Sequence, residues 1–279
     1  GGTNYNYSPP SGWANGDSLK TATTSYTGTD TATLTSNSGP VEKYNASAGF
    51  SIITYSGNGS SDGDTQEITH SLGDEPEFII AKSRSSSASE GNWHVYHKHA
   101  EAASSSGYGT HAYLQLNQNY AATEPYYDIL IPKSGSENTI INTVYNSSDS
   151  LYTNESGIDY VMYAWAGVEG YSKFGTYKGV GSNGVFVYTG HRPKMVWIKN
   201  IDTTGNWFIF DAVRDTYNET VNYLHANSSA SETTNSGYKI DILSNGFRIN
   251  VESTHMNNSA YDYVFCSWAE SPFKHANAR

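Results

Sequence analysis

Asp159-Tyr-Val-Met-Tyr-Ala-Trp-Ala166 recurs almost letter for letter as Asp262-Tyr-Val-Phe-Cys-Ser-Trp-Ala269, and this recurrence limits the fold more than any other feature of the chain. Each copy is a run of bulky aromatic and β-branched residues. It is too short for a globular helix and rich in strand formers, so it reads as a central strand buried on both faces. A repeated core strand implies a repeated domain. Three more blocks keep the same order in both copies. Gly73-Asp-Glu-Pro-Glu-Phe-Ile-Ile-Ala-Lys82 answers Gly190-His-Arg-Pro-Lys-Met-Val-Trp-Ile-Lys199, and Gly91-Asn-Trp-His-Val-Tyr96 answers Gly205-Asn-Trp-Phe-Ile-Phe210. Tyr113-Leu-Gln-Leu116 and Asp128-Ile-Leu-Ile131 answer Tyr223-Leu-His-Ala226 and Asp241-Ile-Leu-Ser244.

Between these blocks lie short strand-like runs at near-regular spacing, separated by Gly, Asn and Ser turns, with no helical period. That pattern indicates sandwiches or barrels. Pro76 and Pro193, each three residues after a glycine, set the same corner before a strand in both copies. Residues 1–48 hold almost no aliphatic side chains and read as an extended arm that packs on something else, with one or two strands of open register over Thr21 to Ser38. Residues 49–170 and 171–279 then form the two repeats, the second ending in a short polar tail. The joint between them is short, so the repeats are expected to touch.

Composition narrows the partners. Charged residues are only 15% of the chain, Tyr numbers 23 and Gly 26, and the net charge is −11, with no Lys/Arg cluster. Hydroxyl and amide groups replace charge, as on an extracellular or virion surface, and the negative balance argues against nucleic acid. No apolar run reaches the roughly 18 residues of a membrane helix. The single cysteine, Cys266, lies inside the second core strand, so it reads as a small buried residue and no intrachain disulfide is possible. The chain begins at Gly1, which reads as a processed product or part of a longer polypeptide.

Motifs for chemistry are sparse. There is no phosphate loop, no zinc signature and no cofactor motif. His94, His97 and His99 form a local cluster that the second copy replaces with Phe208 and Asp211 at its first two positions; they read as solvated histidines on a surface strand rather than metal ligands. Asn58, Ser60, Asp62 and Asp64 alternate like the start of a calcium loop, but Thr69 stands where the bidentate acid belongs, so a hairpin turn is the better reading. Candidate carboxylates for sugar hydrolysis (Glu67, Glu101, Glu124, Asp128, Glu155, Asp241) show no pairing pattern. Aromatic residues are better suited to binding. Trp93, Trp165, Trp207 and Trp268 fall in repeated blocks and read as core anchors, whereas Tyr108, Tyr120, Tyr126 and Tyr127 lie in loops peculiar to the longer first copy and read as a ligand-binding surface.

The blocks Gly49-Phe-Ser-Ile-Ile-Thr-Tyr-Ser-Gly-Asn-Gly59, Gly-x-x-Pro-x-hydrophobic-Lys, Gly-Asn-Trp, Gly170-Tyr-Ser-Lys-Phe-Gly175, Ser244-Asn-Gly-Phe247 and Ala269-Glu-Ser-Pro-Phe273 resemble a repeated domain of unassigned function in tail-fibre and other virion proteins of bacteriophages, marine ones especially. The likeness covers about residues 49–279. Tyr7-Ser-Pro-Pro-Ser-Gly-Trp13 also resembles the closing segment of lectin-like domains that precede this repeat. The resemblance implies an all-β chain of two antiparallel jelly-roll or concanavalin-like sandwiches on a virion surface, and supplies no catalytic residues. The expected function is a non-enzymatic fibre or adhesin module that contacts host-surface glycans as a homo-oligomer, a trimer above all, and meets other virion proteins through its arm. The alternatives are a capsid-decoration or appendage component that binds only virion proteins, and a glycan-degrading tailspike.

Overall fold

Alternation along the repeated strands decides how the layers stack. Tyr160, Met162 and Ala164 point to one side of their strand and Tyr163 and Trp165 to the other, and both sides meet apolar partners. A strand of this kind needs a sheet on each face. The computed structural model describes residues 20–21, 40–85, 88, 91–101, 111–149 and 151–269.

The first copy contains β1 (Lys20–Thr21), β2 (Val41–Asn45), β3 (Phe50–Ser56), β4 (Thr65–Thr69), β5 (Phe78–Ser83), β6 (Trp93–His97), β7 (Leu114–Gln115), β8 (Leu130–Pro132), β9 (Ile140–Asn146), β10 (Leu151–Tyr152) and β11 (Asp159–Trp165). The second contains β12 (Ser172–Lys178), β13 (Val185–Tyr188), β14 (Pro193–Asn200), β15 (Phe208–Asp211), β16 (Asn222–His225), β17 (Thr233–Thr234), β18 (Asp241–Leu243), β19 (Gly246–Ile249) and β20 (Asp262–Ala269). Each copy is a sandwich of one large and one small antiparallel sheet. The large sheets run β1-β2-β3-β11-β5-β6-β7 and β12-β20-β14-β15-β16-β17; the small ones run β10-β9-β4, with β8 beside β9, and β13-β19-β18. The repeated strands β11 and β20 are interior strands of their large sheets.

Three apolar clusters fill the spaces between sheets. Ile53, Ile79 and Met162 meet Ile68 and Ile141 inside the first sandwich; Val196, Ile198 and Phe265 meet Val187, Phe247 and Ile249 inside the second. The third joins the copies: Phe78, Ile80, Val95 and Leu114 face Phe174, Trp207, Val264 and Cys266. The two large sheets therefore pack back to back, and the order of layers is small, large, large, small. Across this seam Phe78 stacks on Phe174 at 5.6 Å and Trp165 meets Trp268 edge-on at 6.2 Å between centroids. Burying one aromatic side chain of roughly 200 Å² is worth about 5 kcal/mol before entropy, so a few such residues hold the halves together.

The four tryptophans belong to this seam rather than to the heart of either sandwich. Pro76 and Pro193 are buried beside it, and their corners are the same: Gly73 and Gly190 both take positive φ, +79° and +80°, which a side chain would disfavour. The arm assigned to residues 1–48 also needs redrawing. Val41–Asn45 is already a strand of the first large sheet, paired in antiparallel register with β3, because its buried Glu42 is satisfied there by the Ser51 hydroxyl and the Ser71 amide. Of the strands expected over Thr21 to Ser38, only Thr21, in β1, lies among the described residues.

The repeat extends to individual hydrogen bonds. Tyr55 stacks on Tyr160 at 5.1 Å and 11°, and Tyr177 stacks on Tyr263 at 5.1 Å and 12°. Their hydroxyls, on Tyr55 and Tyr177, donate to the carbonyls of Thr153 and Met256, both at 2.7 Å. Buried Asn154 and Asn257 accept from the amides of Asn58 and Val180 at 2.9 and 2.8 Å. Asn117 and Asn227 do the same for the amides of Trp93 and Trp207 at 2.8 and 2.9 Å. Such buried amide side chains satisfy backbone that leaves the sheet, which explains why both copies keep them.

Candidate functional site

The tyrosines of the first copy stand on loops held by short polar side chains. Asp62 accepts from the Ser147 amide and hydroxyl at 2.6 and 2.7 Å and from the Ser148 hydroxyl. Those serine contacts hold its carboxyl below the usual carboxylate range, Ser148 contributing most. Asp64 accepts from the amides of Ser60 and Ser61, both at 2.9 Å, which closes the turn expected at this place and leaves its carboxylate engaged by backbone. Asp149 accepts from the Tyr126 amide at 2.6 Å and from Asn146 at 2.9 Å. Tyr126 and Tyr127 meet edge to face at 4.8 Å, and the Tyr127 ring lies against Gly63.

Tyr126 is 43% exposed and Tyr120 63%. Tyr120 stands on a different segment, the one that crosses to the second copy: Asn119 accepts from the Gly205 amide and Ala122 donates to Ile201, both at 2.8 Å. Tyr108 lies outside the described residues. The loops thus present two exposed phenol rings, Tyr126 on backbone anchored by Asp149 and Tyr120 on backbone tied to the second copy, and such rings are able to stack on a sugar ring and bond its hydroxyls.

Two of the three histidines are not solvated, and His99 is half-buried. His94 and His97 are buried on opposite faces of β6: His94 lies on the Tyr96 side, towards the core of its own sandwich, and His97 on the Val95 side, which the other copy covers. His97 Nε2 donates to the Phe265 carbonyl at 3.1 Å across the seam, and its Nδ1 accepts from the His99 amide at 3.2 Å. Both ring nitrogens are engaged, so the ring is a structural tie rather than a metal ligand. Burial drives its pKa down to about 3. Among the described residues no three metal-binding side chains converge.

Three of the candidate carboxylates find separate partners. Glu67 pairs with Lys133 at 2.6 Å, Asp128 accepts from the His111 amide at 2.9 Å, and Asp241 accepts from Asn250 at 2.6 Å. Lys199 carries the most unusual environment. It has no exposed surface, its amine donates to the Asn200 carbonyl, and desolvation lowers its pKa to about 7. Its counterpart Lys82 is only partly buried and donates to Gly91 at 2.6 Å. Cys266 is fully buried in β20, and burial pushes its thiol well above the ordinary range, so no thiolate is offered to solvent.

A second exposed aromatic surface lies on the other copy. Phe186 and Tyr188 project outward from β13, 47% and 56% exposed, and the Lys173 ammonium sits 4.9 Å from the Tyr188 ring centre. Together with His99 and Thr176 they line an open groove of about 330 Å³ between β12 and β13.

A family model described as a domain of unknown function, DUF7483, matches residues 14–272. The chain belongs to the DUF7483 family. No curated protein matches it, and no solved structure does. Because one match spans both copies, the DUF7483 unit is the back-to-back pair rather than a single sandwich.

Within this DUF7483 pair, sequence reasoning passed over Phe186, Tyr188 and Lys173. Gly184-Val-Phe-Val-Tyr188 is apolar at every strand position, so its four residues do not say which side faces water. A signal does exist in the repeat. Ile68 of β4 and Val187 of β13 both face their cores, which places Glu67 and Thr69 where the second copy has Phe186 and Tyr188. Polar positions that turn aromatic between copies mark a surface with a partner.

Proposed function

We propose that this chain is a non-enzymatic module of a bacteriophage virion surface, whose first-copy tyrosine loops contact host-surface glycans. The observation that carries this reading is the exposed Tyr126 ring, set edge-on against Tyr127 and held at its own amide by Asp149. A ring fixed in this way stacks on a pyranose with little loss of side-chain entropy, and tyrosine supplies contact area with few rotors. One such contact is weak. Presentation in a trimer raises the avidity without any new contact.

The test is binding of the purified protein to host cells and to polysaccharide extracted from them. Replacing Tyr126 and Tyr120 by Ala, both exposed and outside the seam, is expected to weaken binding about tenfold or more while leaving the melting temperature unchanged, since each hot-spot ring is worth roughly 1–2 kcal/mol. Incubation should release no reducing ends. Unaltered binding by the double variant would remove the tyrosine loops from the site, and new reducing ends would replace the adhesin reading with a glycosidase. A second reading, attachment to other virion proteins, is favoured by one observation: the outer edge of β12 has no strand beside it among the described residues.

A further inference from the structure

β3 and β12 hold the same place in their copies. β3 runs beside β11 with Phe50 opposite Trp165 and Tyr55 opposite Tyr160, and β12 runs beside β20 with Ser172 opposite Trp268 and Tyr177 opposite Tyr263. On its other side β3 is covered by β2, with Val41 opposite Thr54 and Asn45 opposite Phe50. β12 has no such cover among the described residues, since the chain enters it directly from the joint after β11.

Backbone direction shows what is left open. The Gly179 amide donates to Tyr261 at 3.0 Å, so by antiparallel alternation the odd-numbered residues of β12 turn their backbone groups to β20 and the even-numbered ones turn theirs outward. Ser172 is satisfied by Val168, donating at 2.9 Å and accepting at 3.2 Å. Phe174 and Thr176 therefore turn their N–H and C=O groups to an edge with no strand beside it among the described residues.

The first copy shows what fits there. Glu42 of β2 lies opposite Ile53, is buried, and accepts from the Ser51 hydroxyl at 2.6 Å and the Ser71 amide at 2.9 Å. In the second copy Gly175 replaces Ile53 and Lys173 replaces Ser51, so the hydroxyl that meets a carboxylate becomes an ammonium. Beside it runs the groove lined by Lys173, Thr176, Phe186 and Tyr188.

We propose that β12 is the docking edge for an extended acidic strand of a neighbouring polypeptide, seated as β2 is seated on β3, with its carboxylate opposite Gly175 and directed at Lys173. Main-chain pairing supplies the affinity and Lys173 the selection. Lysines also guard sheet edges against indiscriminate pairing, and an acidic strand turns that guard into a contact. Lys178, the other lysine of β12 with an exposed side chain, is already held by Asp262 at 2.9 Å. The proposal does not depend on glycan binding.

The probe is a capped peptide of this chain's own β2 segment, Pro40-Val-Glu-Lys-Tyr-Asn45, titrated into the whole protein by NMR. Saturable shifts centred on the Phe174 and Thr176 amides are expected. N-methylation at Lys43, whose amide faces the docked edge, should abolish binding, whereas N-methylation at Tyr44, which faces away, should not. Changing the peptide's Glu to Gln should weaken it about tenfold, the equivalent of one charge contact. Lys173→Glu should reject this peptide, whose Glu would then meet a carboxylate, and accept one with Lys in place of Glu. No saturable binding at millimolar peptide, shifts centred elsewhere, or indifference to methylation at Lys43 would each overturn the docking edge. Indifference to both charge changes would overturn the acidic specificity.

Discussion

Trp207→Ala is expected to lower the unfolding free energy by about 3–5 kcal/mol, the range for removing a buried aromatic side chain. Trp207 is 1% exposed, fills the seam between the large sheets, and donates its indole N–H to the Gln115 carbonyl of the other copy at 3.0 Å. Its removal leaves a cavity and takes one of two donors from that carbonyl, which also accepts from the Gln118 amide at 3.2 Å. The informative comparison is Trp93, which occupies the same place in the repeat but is only partly buried, so Trp93→Ala is expected to cost about 1–2 kcal/mol. Chemical denaturation of both variants measures the difference. Equal losses would mean that the two tryptophans serve their own sandwiches alike and that the seam is not where Trp207 acts.

Acid is expected to destabilise the protein through His97. The neutral ring fits its site in one tautomer, with Nε2–H donating to Phe265 and Nδ1 accepting from His99. A second proton on Nδ1 would set a donor against a donor in a buried place. Burial therefore depresses the folded-state pKa to about 3 from an ordinary 6.5, with His99 adding to the depression. With the folded value lowered, the unfolded chain takes up the proton first, so stability is lost as pH falls from about 6.5 towards 3. At about 1.4 kcal/mol per pKa unit the loss from this one ring is on the order of 4 kcal/mol. His191, buried and held by the Ser267 hydroxyl at 2.9 Å, is lowered to about 4 and acts in the same direction. His97→Gln keeps a donor for Phe265 and cannot ionise. Urea midpoints at pH 7 and pH 4 should therefore differ less in that variant than in the parent, and an equal difference would exclude His97 as the acid-sensitive group.

Much of the fold is legible in the chain because the repeat can be read against itself. Asp159–Trp165 and Asp262–Ala269 are interior strands, and Gly73 with Pro76 and Gly190 with Pro193 build the same corner. The seam is harder to see. An apolar outer face reads the same whether a sheet of its own sandwich or of the neighbouring copy covers it, so the repeated tryptophans look like ordinary core residues. His94 and His97 look exposed for a related reason: a polar residue on a strand is taken for a solvated one unless its backbone partner is known, and the carbonyl that receives His97 lies 168 residues further along the chain. The loop tyrosines are legible as departures from the repeat. Phe186 and Tyr188 depart from it too, but only the register of β4 and β13 reveals that Glu67 and Thr69 are the residues they replace. That no strand lies beside the outer edge of β12 among the described residues is a property of what precedes the strand, and a strand's own residues carry no record of that.

A double-mutant cycle on Trp165 and Trp268 tests the back-to-back arrangement most directly. The two are equivalent residues of β11 and β20, 103 positions apart, and they touch only if the large sheets face each other, with centroids 6.2 Å apart. Single and double replacement by Ala, followed by denaturation, should give a coupling energy of about 0.5–1.5 kcal/mol, the range for an edge-to-face aromatic pair. Losses that add to within about 0.3 kcal/mol would place the two rings out of contact and contradict the back-to-back seam.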